Sequence, residues 1–158
     1  MALFQKSVLN EYLKKQDNVA VEKAYKKFVK YFHNLTTQQN IRDINEEGFQ
    51  QKFLMELFVT CFGYVINPDP DYNLTTEFKN LKDAKKADGA ILIDGKARAV
   101  IELKGTNTKD LEKCRQQAFD YHSNHPTCKY VITSNFEKFR FYINTSDEFE
   151  EFNLFTLT

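Results

Sequence analysis

The chain reads as an α/β domain: a mixed β-sheet with helices against it, preceded by a helical N-terminal segment. Three observations predict this class. Up to about residue 62, apolar side chains recur at three- and four-residue steps. The apolar runs AILI and RAVIEL flank Asp94-Gly95, a strong hairpin signal. One more helical stretch then precedes two further β-prone runs, so helices and strands interleave in one sheet.

Taken in order, residues 3–15 and 19–33 are helical by pattern, with Val21, Ala24, Phe28, Val29 and Phe32 on one side and lysines opposite. Gln16-Asp17-Asn18 separates the two helices, and Asp17 or Asn18 caps the second. Residues 34–44 are polar and read as a connector. The expected organisation is therefore a helical segment over 1–44 that packs on a core over 45–158. A third helix is predicted from about Asn45 to Phe62, with Phe49, Phe53, Leu54, Leu57, Phe58 and Cys61 on its apolar side. Gly63 ends it. Residues 64–66 form a short strand before the turn-rich NPDPDYN. After the hairpin, Asn107 or Thr108 caps a helix from about Lys109 to His122, with Leu111, Cys114, Ala118 and Tyr121 on one face. KYVITS is a buried strand, NFEK a turn and FRFYIN a further strand. The closing FNLFTLT is apolar and β-prone, as in a fragment of a longer chain.

At 158 residues the chain fits one domain that can bury a core without disulfides. No apolar run approaches the roughly 20 residues that span a bilayer, and MALFQKSVLNEYLKK has no signal-peptide pattern. Cys61, Cys114 and Cys128 are odd in number and irregularly spaced, which fits reduced thiols and a cytoplasmic location. Net charge is zero, so the broad basic footprint of an independent DNA binder is absent. That suits a module carried to its substrate by other parts of a polypeptide. Charge is uneven locally: Lys79, Lys82, Lys85 and Lys86 crowd before Asp88, and Asp147, Glu148, Glu150 and Glu151 make the C-terminal end acidic.

The chemistry centres on ADGAILIDGKARAVIELKG. Asp88 opens one short apolar strand, and Glu102-Leu103-Lys104 closes the next. Two carboxylates and an ammonium gathered at strand ends can hold a hard divalent cation and set a water against a phosphate. Glu102 and Lys104 share a face because strand side chains alternate. A two-residue Asp94-Gly95 loop with a regular ladder would pair Asp88 with Ile101 and send it to the opposite face. An odd-length loop or one bulge would bring it to the face of Val100, Glu102 and Lys104. An irregularity is therefore expected, with Gly95 in a left-handed conformation as the device.

With these neighbours the sequence resembles the PD-(D/E)XK nucleases, whose motif is an acid on one strand and acid-x-lysine on the next. The proline that usually precedes the first acid is Ala87 here. Thirteen residues past the lysine, Gln117-Ala-Phe-Asp-Tyr121 is similar to the Gln-x-x-x-Tyr motif of RecB-like nucleases and of type I and type IIG restriction enzymes. VITSNFEKFRFY and NEEGFQQKFLMELFVTCFGY also resemble type IIG segments, so the likeness covers about residues 45–143. It implies a restriction-endonuclease-like fold. It further implies Mg²⁺, with Mn²⁺ as a substitute, held by Asp88, Glu102 and the Leu103 carbonyl, with Glu46 the first choice and Glu47 the second for a helix-borne acid. Lys104 would position the attacking water or stabilise the transition state, and Gln117 and Tyr121 would support the DNA backbone or an active-site ligand.

The implied function is a Mg²⁺-dependent endonuclease domain of a type IIG restriction–modification enzyme acting on double-stranded DNA. Methyltransferase and target-recognition domains would follow on the same chain, S-adenosylmethionine would bind there, and a transient dimer would serve double-strand cleavage. Two alternatives are a catalytically silent DNA-binding or assembly module of the same fold, and a stand-alone RecB-like repair exonuclease. His122, His125 and Cys128 in HSNHPTC fall short of the usual four zinc ligands and are better explained by a helix end and its loop.

Overall fold

The computed structural model describes residues 3–79 and 85–158, so Lys82 of the basic run lies outside the described residues. Four helices lead: α1 (Lys6–Lys15), α2 (Asn18–Phe32), α3 (Leu35–Asp43) and α4 (Glu46–Phe53). Asp17 caps α2 by accepting from the backbone N–H groups of Val19 and Ala20, both at 3.1 Å. Asn45 caps α4 in the same way, accepting from Gly48 at 2.7 Å.

The third predicted helix continues without a break but changes hydrogen bonding. After Phe53 it becomes a π-helical segment, Leu54–Cys61. The wider turn keeps Leu54, Leu57, Phe58 and Cys61 all buried against the sheet. Gly63, at φ 82°, then releases the chain.

Among the described residues, six strands form one sheet in sequence order: β1 (Leu74–Lys79), β2 (Lys86–Ile93), β3 (Lys96–Leu103), β4 (Tyr130–Ser134), β5 (Lys138–Ile143) and β6 (Phe149–Asn153). Of these six strands only the pair β3 and β4 runs parallel, and α5 (Glu112–Ser123) connects them. On one face, Phe28 and Phe32 of α2 meet Phe49, Phe53, Leu54 and Phe58 over Ile101, Leu103 and Ile132. Each such buried phenylalanine contributes about 1.5–3 kcal/mol. On the other face, Ala118 and Tyr121 of α5 pack with Val100, Val131 and Tyr142.

Several expectations are corrected. Residues 34–44 are not a connector: Asn34 caps a third helix there, accepting from Thr37 at 2.9 Å. That helix hides in a polar sequence because it buries only Gln38 and Ile41. The Gln38 amide donates to the carbonyls of Phe32 and Phe155, so a polar side chain fills a core position. Residues 64–66 do not form a strand; Ile66 alone makes an isolated bridge, to Leu74. The helix expected from Lys109 starts at Glu112 and has no Asn107 or Thr108 cap. Asp110 instead accepts from the Glu112 N–H at 2.9 Å. β1 and β6 were not foreseen. Both are edge strands with only one fully buried residue between them, Leu74, so neither carries a clear apolar alternation.

Within the segment before residue 45, the helices differ. α2 and α3 supply Phe28, Phe32 and Ile41 to the main core, whereas α1 buries no residue. No helix among the described residues is long and apolar enough to cross a membrane.

Candidate active site

Asp94 and Gly95 form a two-residue turn with φ values of 52° and 74°, both left-handed. This is the geometry that lets a tight hairpin follow the strand twist. The device that shifts the register is not this turn. It is a bulge: Leu92 pairs with Ala97, but Ile91 pairs with Ala99, leaving Arg98 as the extra residue on β3. Beyond the bulge the ladder runs through Ala90↔Val100 to Gly89↔Ile101, where pairing with β3 ends. Asp88 therefore comes next to Glu102, at the point where the two strands part. The β1 side is irregular here too, with Glu77 at φ 51° between the pairs Thr76↔Gly89 and Phe78↔Ala87.

The Asp88 carboxylate accepts a hydrogen bond from the Leu103 N–H at 2.7 Å. Glu102 is buried between Ile101 and Leu103, opposite Thr133 of β4. One of its oxygens lies 3.5 Å from the Lys104 Nζ, and the other is buried with no hydrogen-bond partner among the described residues. Burial and the Asp88 charge push the Glu102 carboxyl up to about 8, against the pull of Lys104. Burial also raises Asp88, opposed by the Leu103 N–H and by Lys104. Burial works against the Lys104 ammonium, but Glu102, Glu46 and Asp88 outweigh it and lift its pKa above the ordinary value.

Helix α4 meets this point end-on. Glu46, in its first turn, accepts from the Gly105 N–H at 3.3 Å and from the Gln50 amide at 3.3 Å. Its charge acts on Asp88, Glu102 and Lys104 alike. A Cβ on Gly105 would stand 2.9 Å from the Asn107 Oδ1 and 3.6 Å from the Glu46 Cβ, so glycine permits this approach. Glu47 is exposed. Of the two helix-borne acids, Glu46 is the one beside the carboxylates.

The two α5 residues divide. Tyr121 is buried, and its hydroxyl donates to the Lys86 carbonyl at 2.6 Å, anchoring the strand that carries Asp88. Gln117 is exposed. The Thr-Ser-Asn at the end of β4 holds the loop after Lys104. The Lys104 N–H donates to the Ser134 carbonyl at 2.8 Å, and the Asn135 amide donates to the Thr108 carbonyl at 2.8 Å.

Sequence reasoning missed Gln50, Gly105 and the proximity of Cys114, whose thiol is pushed up to about 11 by burial and then by Glu102. The available signal for Gln50 was its place one helical turn beyond Glu46. His122 and His125 pack against Phe119 and Phe78 and are held below the usual histidine range by burial. Among the described residues, no three His, Cys, Asp or Glu side chains form a ready-made metal cage.

The donors nonetheless suit a hard divalent cation. Asp88, Glu102 and Glu46 place three carboxylates against one ammonium, and Glu102 holds a buried oxygen unanswered. Oxygen donors in acid excess attract such ions, and the nearby Cys114 thiol, with its pKa pushed up to about 11, stays protonated and is a poor ligand.

These features define a mixed α/β domain with a carboxylate–lysine cluster at one end of a six-stranded sheet. The family model described as MmeI, N-terminal domain, matches residues 21–158, and the chain belongs to that family, the N-terminal domain of a type II restriction–modification enzyme. The match begins within the first turn of α2 and leaves out α1. No curated protein and no solved structure matches the chain.

Proposed function

We propose that this domain is the Mg²⁺-dependent DNA endonuclease of a type IIG restriction–modification enzyme, with a restriction-endonuclease-like PD-(D/E)XK core. The carrying observation is the bulge at Arg98 that lets Asp88 meet Glu102 and Lys104 where β2 and β3 separate. Family membership supports the restriction–modification context, with DNA as substrate and other domains on the same polypeptide.

Asp88, Glu102 and the Leu103 carbonyl would hold the cation, with Glu46 close enough to add its charge. When bound, the ion supplies Lewis-acid screening of the phosphate and acidifies a water. The residues of the chain do the rest. Lys104, kept charged by its three acidic neighbours, holds the nucleophilic water or meets the charge that grows on the phosphoryl oxygens. Asp88 is oriented by the Leu103 N–H, so its carboxylate arrives already turned. Gln117, exposed on α5, would support the DNA backbone, and Tyr121 holds the Asp88 strand from behind. The methyltransferase and target-recognition parts, with S-adenosylmethionine, belong to the rest of the polypeptide. A transient pairing of two copies would allow both strands to be cut.

Lys104→Ala is the direct test. Cleavage of closed circular double-stranded DNA in Mg²⁺ should fall by at least about 100-fold. The circular dichroism spectrum and divalent-ion binding should stay largely unchanged. Full cleavage by the variant overturns the assignment. A second reading, a catalytically silent module of the same fold, has the absence of a preformed cage among the described residues in its favour. Isothermal titration with Mg²⁺ or Mn²⁺ separates the two, because a silent module would show no heat of binding.

A further inference from the structure

The peptide that carries Lys104 is gripped on both sides. The Leu103 N–H donates to Asp88 at 2.7 Å and the Gly105 N–H donates to Glu46 at 3.3 Å, while the Lys104 N–H between them donates to Ser134 at 2.8 Å. Two carboxylates from different elements, β2 and α4, thus bracket Lys104. Left to themselves, these acids repel each other across a half-buried space. Gln50, one turn after Glu46 on α4, donates its amide to the Glu46 Oε1 at 3.3 Å. Its side chain also faces Asp88, where it helps offset the effect of burial on that carboxyl.

We propose that Gln50 is a positioning residue: a neutral bridge between Glu46 and Asp88 that closes a ring of hydrogen bonds through the Leu103 and Gly105 amides and fixes where Lys104 stands. The bridging group has to be a donor, because both its partners are acceptors. It also has to be uncharged. A lysine there would neutralise the acids and occupy the place of a cation, and a glutamate would add repulsion without donating. A glutamine on a helix reaches both carboxylates while keeping the acid excess that the site needs. The Gln50–Glu46, Gly105–Glu46 and Leu103–Asp88 bonds are features of the fold; the Gln50–Asp88 link that closes the ring is the inference, and its catalytic consequence rests on the endonuclease reading above.

The test uses Gln50→Met, which keeps the length of the side chain and its helix preference but removes the donor. Amide hydrogen exchange is measured on the 158-residue chain without added metal. The Leu103 and Gly105 amides should exchange about five- to tenfold faster than in the wild type, while the Lys104 amide, bonded to the far strand, should keep its protection. Unchanged protection at Leu103 and Gly105 overturns the ring, as does equal loss across all three amides, which would mark general loosening of the sheet. Gln50→Lys gives a second reading: it should raise the melting temperature without metal and shrink the further rise that Mg²⁺ induces. Where Mg²⁺ raises the melting temperature of the wild type, a variant with an unaltered Mg²⁺ response also overturns the proposal. If the ring behaves as expected but wild-type chain never cuts DNA, the endonuclease reading fails and the positioning role in the fold stands. If cleavage also falls in Gln50→Met, the loss should appear in kcat and leave the KM for DNA unchanged.

Discussion

Two clusters of charge lie within the sheet of this protein, and they are built on opposite principles. Around Arg140 every charge is answered. Its Nη1 lies 2.6 Å from Glu112, its Nε lies 2.6 Å from Glu151, and its guanidinium sits 4.1 Å above the Phe149 ring. Around Glu102 the balance is broken: among the described residues, Lys104 at 3.5 Å serves a group of acids, and one buried oxygen has no hydrogen-bond partner. The first cluster ties α5, β5 and β6 together. The second is held in place in spite of its charges, because Ile101 and Leu103, next to Glu102 along β3, are locked into the core on the opposite face. The difference separates charge balanced within the fold from charge that burial leaves unbalanced.

The sharpest way to break the contrast is Glu102→Gln, which keeps the shape and removes the charge. Cleavage should disappear, yet the chain should become more stable near pH 8. Folding holds the Glu102 proton up to about 8, whereas the ordinary value is 4.5, so the folded state binds more protons between those limits. The wild type should therefore lose stability as pH rises from about 4.5 towards 8, with the penalty fully present above. The effect is on the order of a few kcal/mol at most, since other titrations overlap it. Urea melts at several pH values should show a flatter curve for the variant. Parallel curves would remove the case for a charge strained by burial.

Arg140→Met attacks the other cluster and should act in the opposite sense. Its acidic partners are a third or more exposed and can rehydrate, so the loss should be only about 1–2 kcal/mol, read from the urea midpoint. Cleavage well below the melting temperature should persist. An Arg140 variant that folds normally but cannot cut would blur the distinction between the clusters. The smallest effect is expected for Tyr121→Phe, which removes one hydrogen bond to the Lys86 carbonyl. It should cost about 1 kcal/mol. A much larger loss of cleavage than of stability would move Tyr121 from support of the strand into the chemistry.

The hairpin shows how much of the site could be read in advance. Asp88, Glu102 and Lys104 stand out because charged residues interrupt apolar strand patterns, and the need for an irregularity follows from counting alternation across Asp94-Gly95. Where that irregularity would fall was not readable. The bulge sits at Arg98, a residue with no local signature, because its position is set by how β3 packs beneath the helices and not by its own preference. β1, β6 and α3 escaped notice for a related reason. Each buries so little that burial leaves almost no periodic trace.

Local chemistry written along the chain was enough to determine the interleaving of helices and strands, a cap at Asp17 or Asn18, and the acid–acid–lysine set. Such features depend on neighbours three or four residues apart, or two apart in a strand, and those distances are visible in any sequence. Only the tertiary structure decided that Glu46, not Glu47, approaches the carboxylates, that Gln50 joins them, and that Glu102 keeps one oxygen unanswered. The contact between Glu46 and Gly105 spans dozens of residues, and it forms because the buried face of α4 fixes the angle at which its first turn meets the end of β3.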